Sequence, residues 1–143
     1  MAWLGLVHVH GLLVREIDAA LITRHGLSLN GFEVLFHLTR TPGERLAMAE
    51  LVRLVVLSPS GLSRLLARLE RDGLVARHST PEDARAMAVS LTEAGRAALA
   101  AAADTHLQVL RSRFLSHLSA EEVDQLAGLW LRVDPTLAGL GCV

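Results

Sequence analysis

The stretch from Ser58 to Gly73 restricts the fold more than any other part of the chain, because its sequence marks both ends of one helix. Ser58 followed by Pro59 favours a helix start, since the hydroxyl accepts a bond from a free amide and proline suits the first turn. Gly73 favours termination. One face, at helical spacing, consists of Leu62, Leu65, Leu66 and Leu69. The sequence therefore predicts a helix over residues 59–72 that packs this face against a core.

The opposite face of this helix carries small residues and arginines, with no acidic residue among them. Its members are Ser60, Ser63, Arg64, Ala67 and Arg71. Small residues allow a helix to approach the major groove of DNA, hydroxyls bind phosphates or base edges, and arginine pairs with guanine. An ordinary amphipathic helix with a solvated arginine face has the same pattern. The helix by itself therefore leaves both interpretations open.

The segments on either side of this helix favour the DNA-reading interpretation. A short helix is predicted around residues 48–54, and short β-like runs at residues 74–78 and 87–91 predict a hairpin. A hairpin after a reading helix can act as a wing, and a narrow minor groove attracts arginine. Arg85 is the only basic residue in the connecting residues 79–86. We therefore expect Arg85 to enter the minor groove.

Periodicity and capping signals predict the remaining helices. The first spans residues 3–24, and the second runs from a Ser28 cap through Leu38 with Phe32 and Phe36 facing a core. Thr92 is expected to cap a long, alanine-rich helix of about 24 residues. Residues 119–122 match a capping box, so a last helix begins there.

The apolar content predicts an assembly of two chains. The 143-residue chain has the length of one domain, yet it is 51% hydrophobic, and a partner chain would cover the surplus. The predicted fold class is mainly α with a small β-hairpin wing: a winged helix-turn-helix flanked by N- and C-terminal dimerisation helices. Within a single domain, 1–143, residues 29–91 form the winged lobe. Residues 1–25 and 92–143 form the dimerisation helices of a homodimer.

Charge and cysteine content limit the function classes. The net charge of -1 argues against non-specific polyanion binding by the whole chain, although all 14 basic residues are arginine and a local basic face remains possible. The lone Cys142 cannot form an internal disulfide, which fits a reducing compartment. The apolar first 14 residues are too short to span a bilayer. We expect a cytoplasmic protein without a membrane partner.

The sequence resembles the MarR (multiple antibiotic resistance regulator) family. The resemblance lies in "SPSGLSRLLARLERDGLV", "PEDARA" and "SLTEAGRAAL", in the same order and spacing as in the family, and covers roughly residues 29–100. It implies a triangular dimer, recognition by the helix beginning at Ser58, and a wing arginine at Arg85. It also implies that Asp83 braces the wing through Arg68 or Arg85. The wing reads Asp-Ala-Arg-Ala where the family often has a second arginine, and Ala47 replaces the usual serine or threonine cap.

These observations predict a sequence-specific DNA-binding transcriptional regulator. We expect a repressor that binds a pseudo-palindromic operator in double-stranded DNA as a homodimer. The residues expected to contact DNA are Ser58, Ser60, Ser63, Arg64, Arg68, Arg71 and Arg85. The resemblance further implies release by a small anionic or phenolic effector near the junction of the dimer and reading lobes. His10 and Arg15 are the predicted effector residues, since Arg15 is a permanent cation beside an apolar run.

Other function classes have weaker support in the sequence. The G-x-S-x-G elbow is absent and no histidine or aspartate is linked by motif to the serines near Ser58, so we predict no catalytic residues. The seven histidines show no tetrahedral ligand spacing, and no metal site or cofactor is predicted. Two alternatives remain open: a winged-helix module that binds protein without binding DNA, and a metal-responsive regulator.

Overall fold

The structure is a computed structural model that describes residues 1–79 and 87–139. The α-helices of these residues are α1 (Ala2–His25), α2 (Leu29–Thr39), α3 (Met48–Leu54), α4 (Pro59–Arg71), α5 (Glu93–Arg113) and α6 (Ala120–Val133). Short 3-10 turns occupy Pro42–Glu44, Leu115–His117 and Pro135–Gly139. The helices predicted from the sequence are confirmed, with ends that differ from the expected ones by a few residues.

A three-stranded antiparallel sheet joins the middle of the chain. Its strands are β1 (Arg45–Ala47), β2 (Val75–Ser79) and β3 (Met87–Leu91), in the order β1-β3-β2. Strands β2 and β3 pair along their whole length, which confirms the predicted hairpin. The sequence did not predict β1, because three residues carry no periodicity and their partners on β3 lie more than forty positions later. Residues 80–86, which connect the hairpin and contain Asp83 and Arg85, lie outside the described part.

One core unites the winged elements with the long helices. The leucine face of α4 points into it as predicted: Leu62, Leu66 and Leu69 are buried, and Leu65 packs against its edge. The same core includes Leu21 of α1, Leu35 of α2 and Leu99 of α5. The core side chains are mostly leucine and valine, so α4 is held by burial of its apolar face, which leaves the Ser/Arg face outside.

The helix starts are fixed by side-chain caps where the sequence predicts them. Thr92 Oγ1 accepts a bond from the Gly95 amide at 3.0 Å. Ser119 Oγ accepts from the Glu122 amide at 3.2 Å, and the Glu122 carboxylate accepts from the Ser119 amide at 2.7 Å. Helix α3 lacks such a cap because Ala47 has no side-chain acceptor. The Glu50 carboxylate accepts from the Ala47 amide at 2.8 Å, so α3 keeps half of a capping box.

The start of α5 lies directly against the start of β2. Thr92 Oγ1 donates to the Gly73 carbonyl at 2.7 Å, and the Thr92 amide donates to the Leu74 carbonyl at 3.2 Å. Gly95 is buried here, and a Cβ built on it would lie 2.1 Å from the Leu74 carbonyl oxygen. Only glycine allows this approach, which sets the position of the winged lobe on the long helix.

The outer helices leave apolar surface uncovered. On α1, Trp3 is 72% and Leu4 69% exposed, while on α6 Leu129 is 52% and Val133 76% exposed. Helix α1 packs along α5, where Arg113 forms an ion pair with Glu16 (Nε–Oε2, 2.5 Å) and His25 Nε2 lies 2.8 Å from Thr105 Oγ1. Among the described residues, no helix combines the length and the hydropathy that crossing a bilayer requires.

Replacing Gly95 with alanine is expected to destabilise the fold. The new methyl group would overlap the Leu74 carbonyl, and a backbone atom cannot swing away as a side chain does. Overpacking of this kind costs about 1–3 kcal/mol, more than the roughly 1 kcal/mol that alanine gains over glycine in a helix. Urea unfolding followed by circular dichroism measures the change.

Gly128→Ala is the matched control, because Gly128 is helical and a Cβ there meets no atom within 4 Å. It should raise the free energy of unfolding by about 0.5–1 kcal/mol. If Gly95→Ala proved as stable as the parent protein, the close approach of α5 to β2 would be wrong.

Candidate nucleic-acid interface

The N-terminal turn of α4 combines a cap with exposed donors. Ser58 Oγ accepts from the Gly61 amide at 3.1 Å and lies 3.3 Å from Ser60 Oγ. A hydroxyl has one donor and two acceptor positions, so Ser58 keeps its proton for a second partner while it caps the helix. Pro59 has no amide proton, whereas the Ser60 amide, in the first turn of the helix, has no acceptor within the helix. This end of α4 is therefore a place where an anion can bind.

The face of α4 that the sequence assigns to DNA is exposed along its length. Ser60, Ser63, Arg64, Ala67 and Arg71 are all exposed. Within residues 1–79 and 87–139, no carboxylate lies within 4 Å of the Arg64 guanidinium. Arg64 thus presents its donors outward, one turn from the helix start.

The C-terminal end of α4 has its positive charge reduced by one carboxylate. Asp72 Oδ2 lies 3.8 Å from Arg68 Nε, and Asp72 Oδ1 lies 3.6 Å from Arg71 Nε. All three side chains are largely exposed, so these contacts are weak and leave donors free. The positive potential of the face therefore concentrates towards Arg64.

An ion pair connects the β2–β3 hairpin to α4. Arg77 of β2 binds the Glu70 carboxylate at the end of α4 with two nitrogens, Nε at 2.7 Å. This bond lowers the pKa of Glu70. The sequence analysis did not identify the pair, because a helix end, a turn and a strand separate its members and no periodicity links them. Arg77 is thereby engaged in holding the wing rather than available to DNA.

The two predicted wing residues belong to the segment between β2 and β3. Arg85, expected in the minor groove, and Asp83, expected to brace the wing, both lie in residues 80–86, outside the described part of the chain. Arg68, one of the two bracing partners considered, lies near Asp72 as described above. Both assignments stay predictions.

A cavity of about 700 Å³ lies beside this interface, between α2, α5 and the residues that follow α3. Three rings line it in nearly parallel planes: Phe36 and Phe32 are 6.5 Å apart at 8°, and Phe32 and His106 are 4.7 Å apart at 9°. Leu54 and the 94% exposed Val56 line the side nearest α4. The sequence analysis expects Phe32 and Phe36 to face a core. Their spacing on α2 shows that the two rings share a face, but nothing else near them in the sequence indicates a cavity.

The polar groups of the cavity are mostly acidic or neutral. Glu33 and Asp104 contribute carboxylates, and burial raises the pKa of Glu33 while the charge of His10 opposes that rise. Burial and the charge of Arg40 lower the pKa of His37. Burial also lowers the pKa of His106, so the surroundings favour the neutral form of both imidazoles.

The arginine that lines the cavity among residues 1–79 and 87–139 is held by acidic partners. Arg96 pairs with Glu44, with Nε 3.2 Å from Oε1, and with Glu93. The bond to Glu44 raises the pKa of Arg96. Its positive charge is therefore largely compensated before any ligand enters.

The predicted effector residues do not meet in this cavity. His10 lines a different cavity, between α1 and α6, and Arg15 is an exposed residue of α1 that lines neither. Their role in effector binding stays a prediction. Across residues 1–79 and 87–139, no three histidine, cysteine or acidic side chains gather as metal ligands.

Comparison with known proteins gives these features a family context. Residues 25–86 match the sequence model of the MarR family. The HTH-type transcriptional repressor Rv2887 of Mycobacterium tuberculosis is 35% identical over 117 residues, which cover 82% of this chain and 81% of the relative.

Among the solved structures that this chain resembles, some contain DNA. Sco3205 from Streptomyces coelicolor, a MarR family transcriptional regulator in complex with DNA, matches with a TM-score of 0.86 and 29% identity over 95% of this chain and 85% of that one. A MarR mutant from E. coli complexed with operator DNA matches with a TM-score of 0.80 and 26% identity, over 94% and 95%. Sequence, fold and the exposed face of α4 agree: the chain is a MarR-family transcriptional regulator with a winged helix-turn-helix, and not an enzyme.

Proposed function

We propose that the protein is a sequence-specific repressor that binds a pseudo-palindromic operator as a homodimer and leaves it when a small-molecule effector binds. The observation that carries the DNA-binding part is the exposed Ser60, Ser63 and Arg64 surface at the start of α4. The DNA complexes of Sco3205 and of the E. coli MarR mutant support it. The name of the Mycobacterium tuberculosis relative supports repression.

The proposed contacts divide into reading and positioning groups. Arg64 and Ser60 contact base edges in the major groove, while Ser58 and Ser63 bind phosphates nearby. Arg68 and Arg71 bind phosphates towards the end of α4, and Arg85 enters the flanking minor groove. Residues 29–91 form the DNA-binding lobe, and residues 1–25 and 92–143 form the dimer.

The proposed release by an effector is based on the cavity beside α4. Val56 lines that cavity and is two residues before Ser58, which caps α4. A ligand that covers Val56 shifts the short connection between α3 and α4, and with it the start of the reading helix. Release from DNA then follows from a changed position of the recognition helix within the dimer.

The dimer is expected from the exposed apolar side chains of α1 and α6. Sedimentation at micromolar concentration should give about 31 kDa, twice the 15.4 kDa of one chain. Trp3→Asp and Leu129→Asp should shift the mass towards the monomer, since each would bury a charge in an apolar interface. Val56→Asp, which places the same charge at an exposed apolar site outside α1 and α6, should leave the mass unchanged. A parent protein that sediments at the mass of one chain would rule out the homodimer.

Arg64→Ala should lower operator affinity by about 1–3 kcal/mol and relax base preference at one position in each half-site, as for a lost arginine–guanine pair. Operator sites are first selected from random duplexes, where two half-sites about 10 base pairs apart are expected. Arg111→Ala, the same change at an exposed site on α5, is the control. No enriched sequence, or unchanged binding by Arg64→Ala, would favour the protein-binding alternative.

Asp72→Asn should strengthen DNA binding several-fold without a change of base preference. The carboxylate lies near both Arg68 and Arg71, so its removal frees two cations for phosphates. Arg71→Ala should reduce the slope of log affinity against log salt by about one unit. Titrations at several salt concentrations measure both effects. Equal affinity of Asp72→Asn and the parent would show that the Asp72 carboxylate does not weaken the binding of phosphate at this end of α4.

A further inference from the structure

We infer that the cavity between α2 and α5 binds a flat aromatic ligand without negative charge, and that a ligand carrying a cationic nitrogen binds best, next to Glu33 and Asp104. This differs from the anionic effector that the sequence analysis expects. The inference deepens the proposed effector response and rests on it for its consequence at DNA, whereas ligand binding itself can be measured without DNA.

The shape of the ligand follows from the rings. The ring planes of Phe36 and His106 are tilted by 8° and 9° from that of Phe32. A planar ligand can therefore lie parallel to all three rings. Offset stacking on such rings is favourable in addition to the apolar area that it buries. A volume of about 700 Å³ is ample for two or three fused rings.

The charge of the ligand follows from the groups around the cavity. Glu33 and Asp104 line it, and the lining Arg96 is bound to two further carboxylates, Glu44 and Glu93. Arg40 supplies a second guanidinium, which lies over the Phe36 ring 5.5 Å from its centroid. Two carboxylates therefore line the cavity, and the guanidinium that lines it, Arg96, is already paired with two others, whereas Arg40 lies outside the lining.

An anion would find no uncompensated cation among the described residues that line the cavity. His37 and His106 lose rather than gain positive charge on burial. An amidinium or protonated amine, in contrast, can donate a charge-assisted hydrogen bond to the carboxylate of Glu33 or Asp104. A neutral aromatic keeps the stacking and loses only that bond, so its affinity should be intermediate.

The test uses three probes of one shape: naphthalene-2-carboxamidine, naphthalene-2-carboxamide and naphthalene-2-carboxylate. Calorimetry on the full-length protein without DNA should give a Kd for the carboxamidine at least about tenfold below that of the carboxylate, with the carboxamide between them. Equal or tighter binding of the carboxylate, or no binding of any probe, would overturn the inference.

Matched variants locate the effect. Glu33→Gln and Asp104→Asn keep the size of each side chain, and either change should reduce the preference for the carboxamidine several-fold. Asp124→Asn, the same replacement on an exposed turn of α6, should leave the preference unchanged. Ala103→Trp fills the cavity from an exposed position of α5 and should abolish binding of all three probes. A preference that persists in both acid variants, or probe binding that survives Ala103→Trp, would contradict the assignment.

A separate measurement on operator DNA distinguishes this inference from the proposed function. If the carboxamidine binds with the expected preference but does not release DNA, the ligand class stands and the effector response fails. If the protein selects no DNA sequence at all, the DNA-binding proposal fails while the probe measurements are unaffected.

Discussion

The approach of α5 to the first residues of β2 holds the two parts of this molecule in one arrangement. Thr92 binds the Gly73 and Leu74 carbonyls, and Gly95 leaves the Leu74 carbonyl the space it needs. Helix α4 ends immediately before this junction and the hairpin begins immediately after it. The long helix, the reading helix and the wing are thereby positioned by contacts within a few residues, and any change of angle at this point moves all three together.

The arginines near the reading helix serve two physical roles. Arg77 binds Glu70, and Arg96 binds Glu44 and Glu93, so these two guanidinium groups tie the wing to α4 and the turn before β1 to α5. Arg64 lies on the outer face, away from the carboxylates of the described residues. A chain with a net charge of -1 can therefore present a positive surface, because most of the acidic groups lie elsewhere or are paired.

In the proposed effector response, the cavity beside α4 would connect these roles to regulation. Its walls come from α2 and α5 of the scaffold, and its open side carries Leu54 and Val56, which lead into the cap of the reading helix. Arg96 belongs both to the cavity lining and to the ion pairs that hold the turn before β1. A ligand bound among these groups would change contacts on which the position of α4 depends. The proposed coupling between ligand and DNA would then pass through a few packed side chains rather than a long path.

The sequence by itself determined the local elements. Ser58-Pro59, Thr92, Ser119 and the leucine spacing of α4 act within one or two turns, so the helix ends and the outward Ser/Arg face could be predicted from them. Tertiary structure alone decided the features that join distant residues. Strand β1 forms only because β3 is its partner, Arg77 reaches Glu70 only across a turn, and the cavity joins Phe32 to His106, more than seventy positions later. Capping and periodicity are short-range effects encoded in neighbouring residues, whereas strand pairing, ion pairs and cavities depend on which surfaces the packed core brings together.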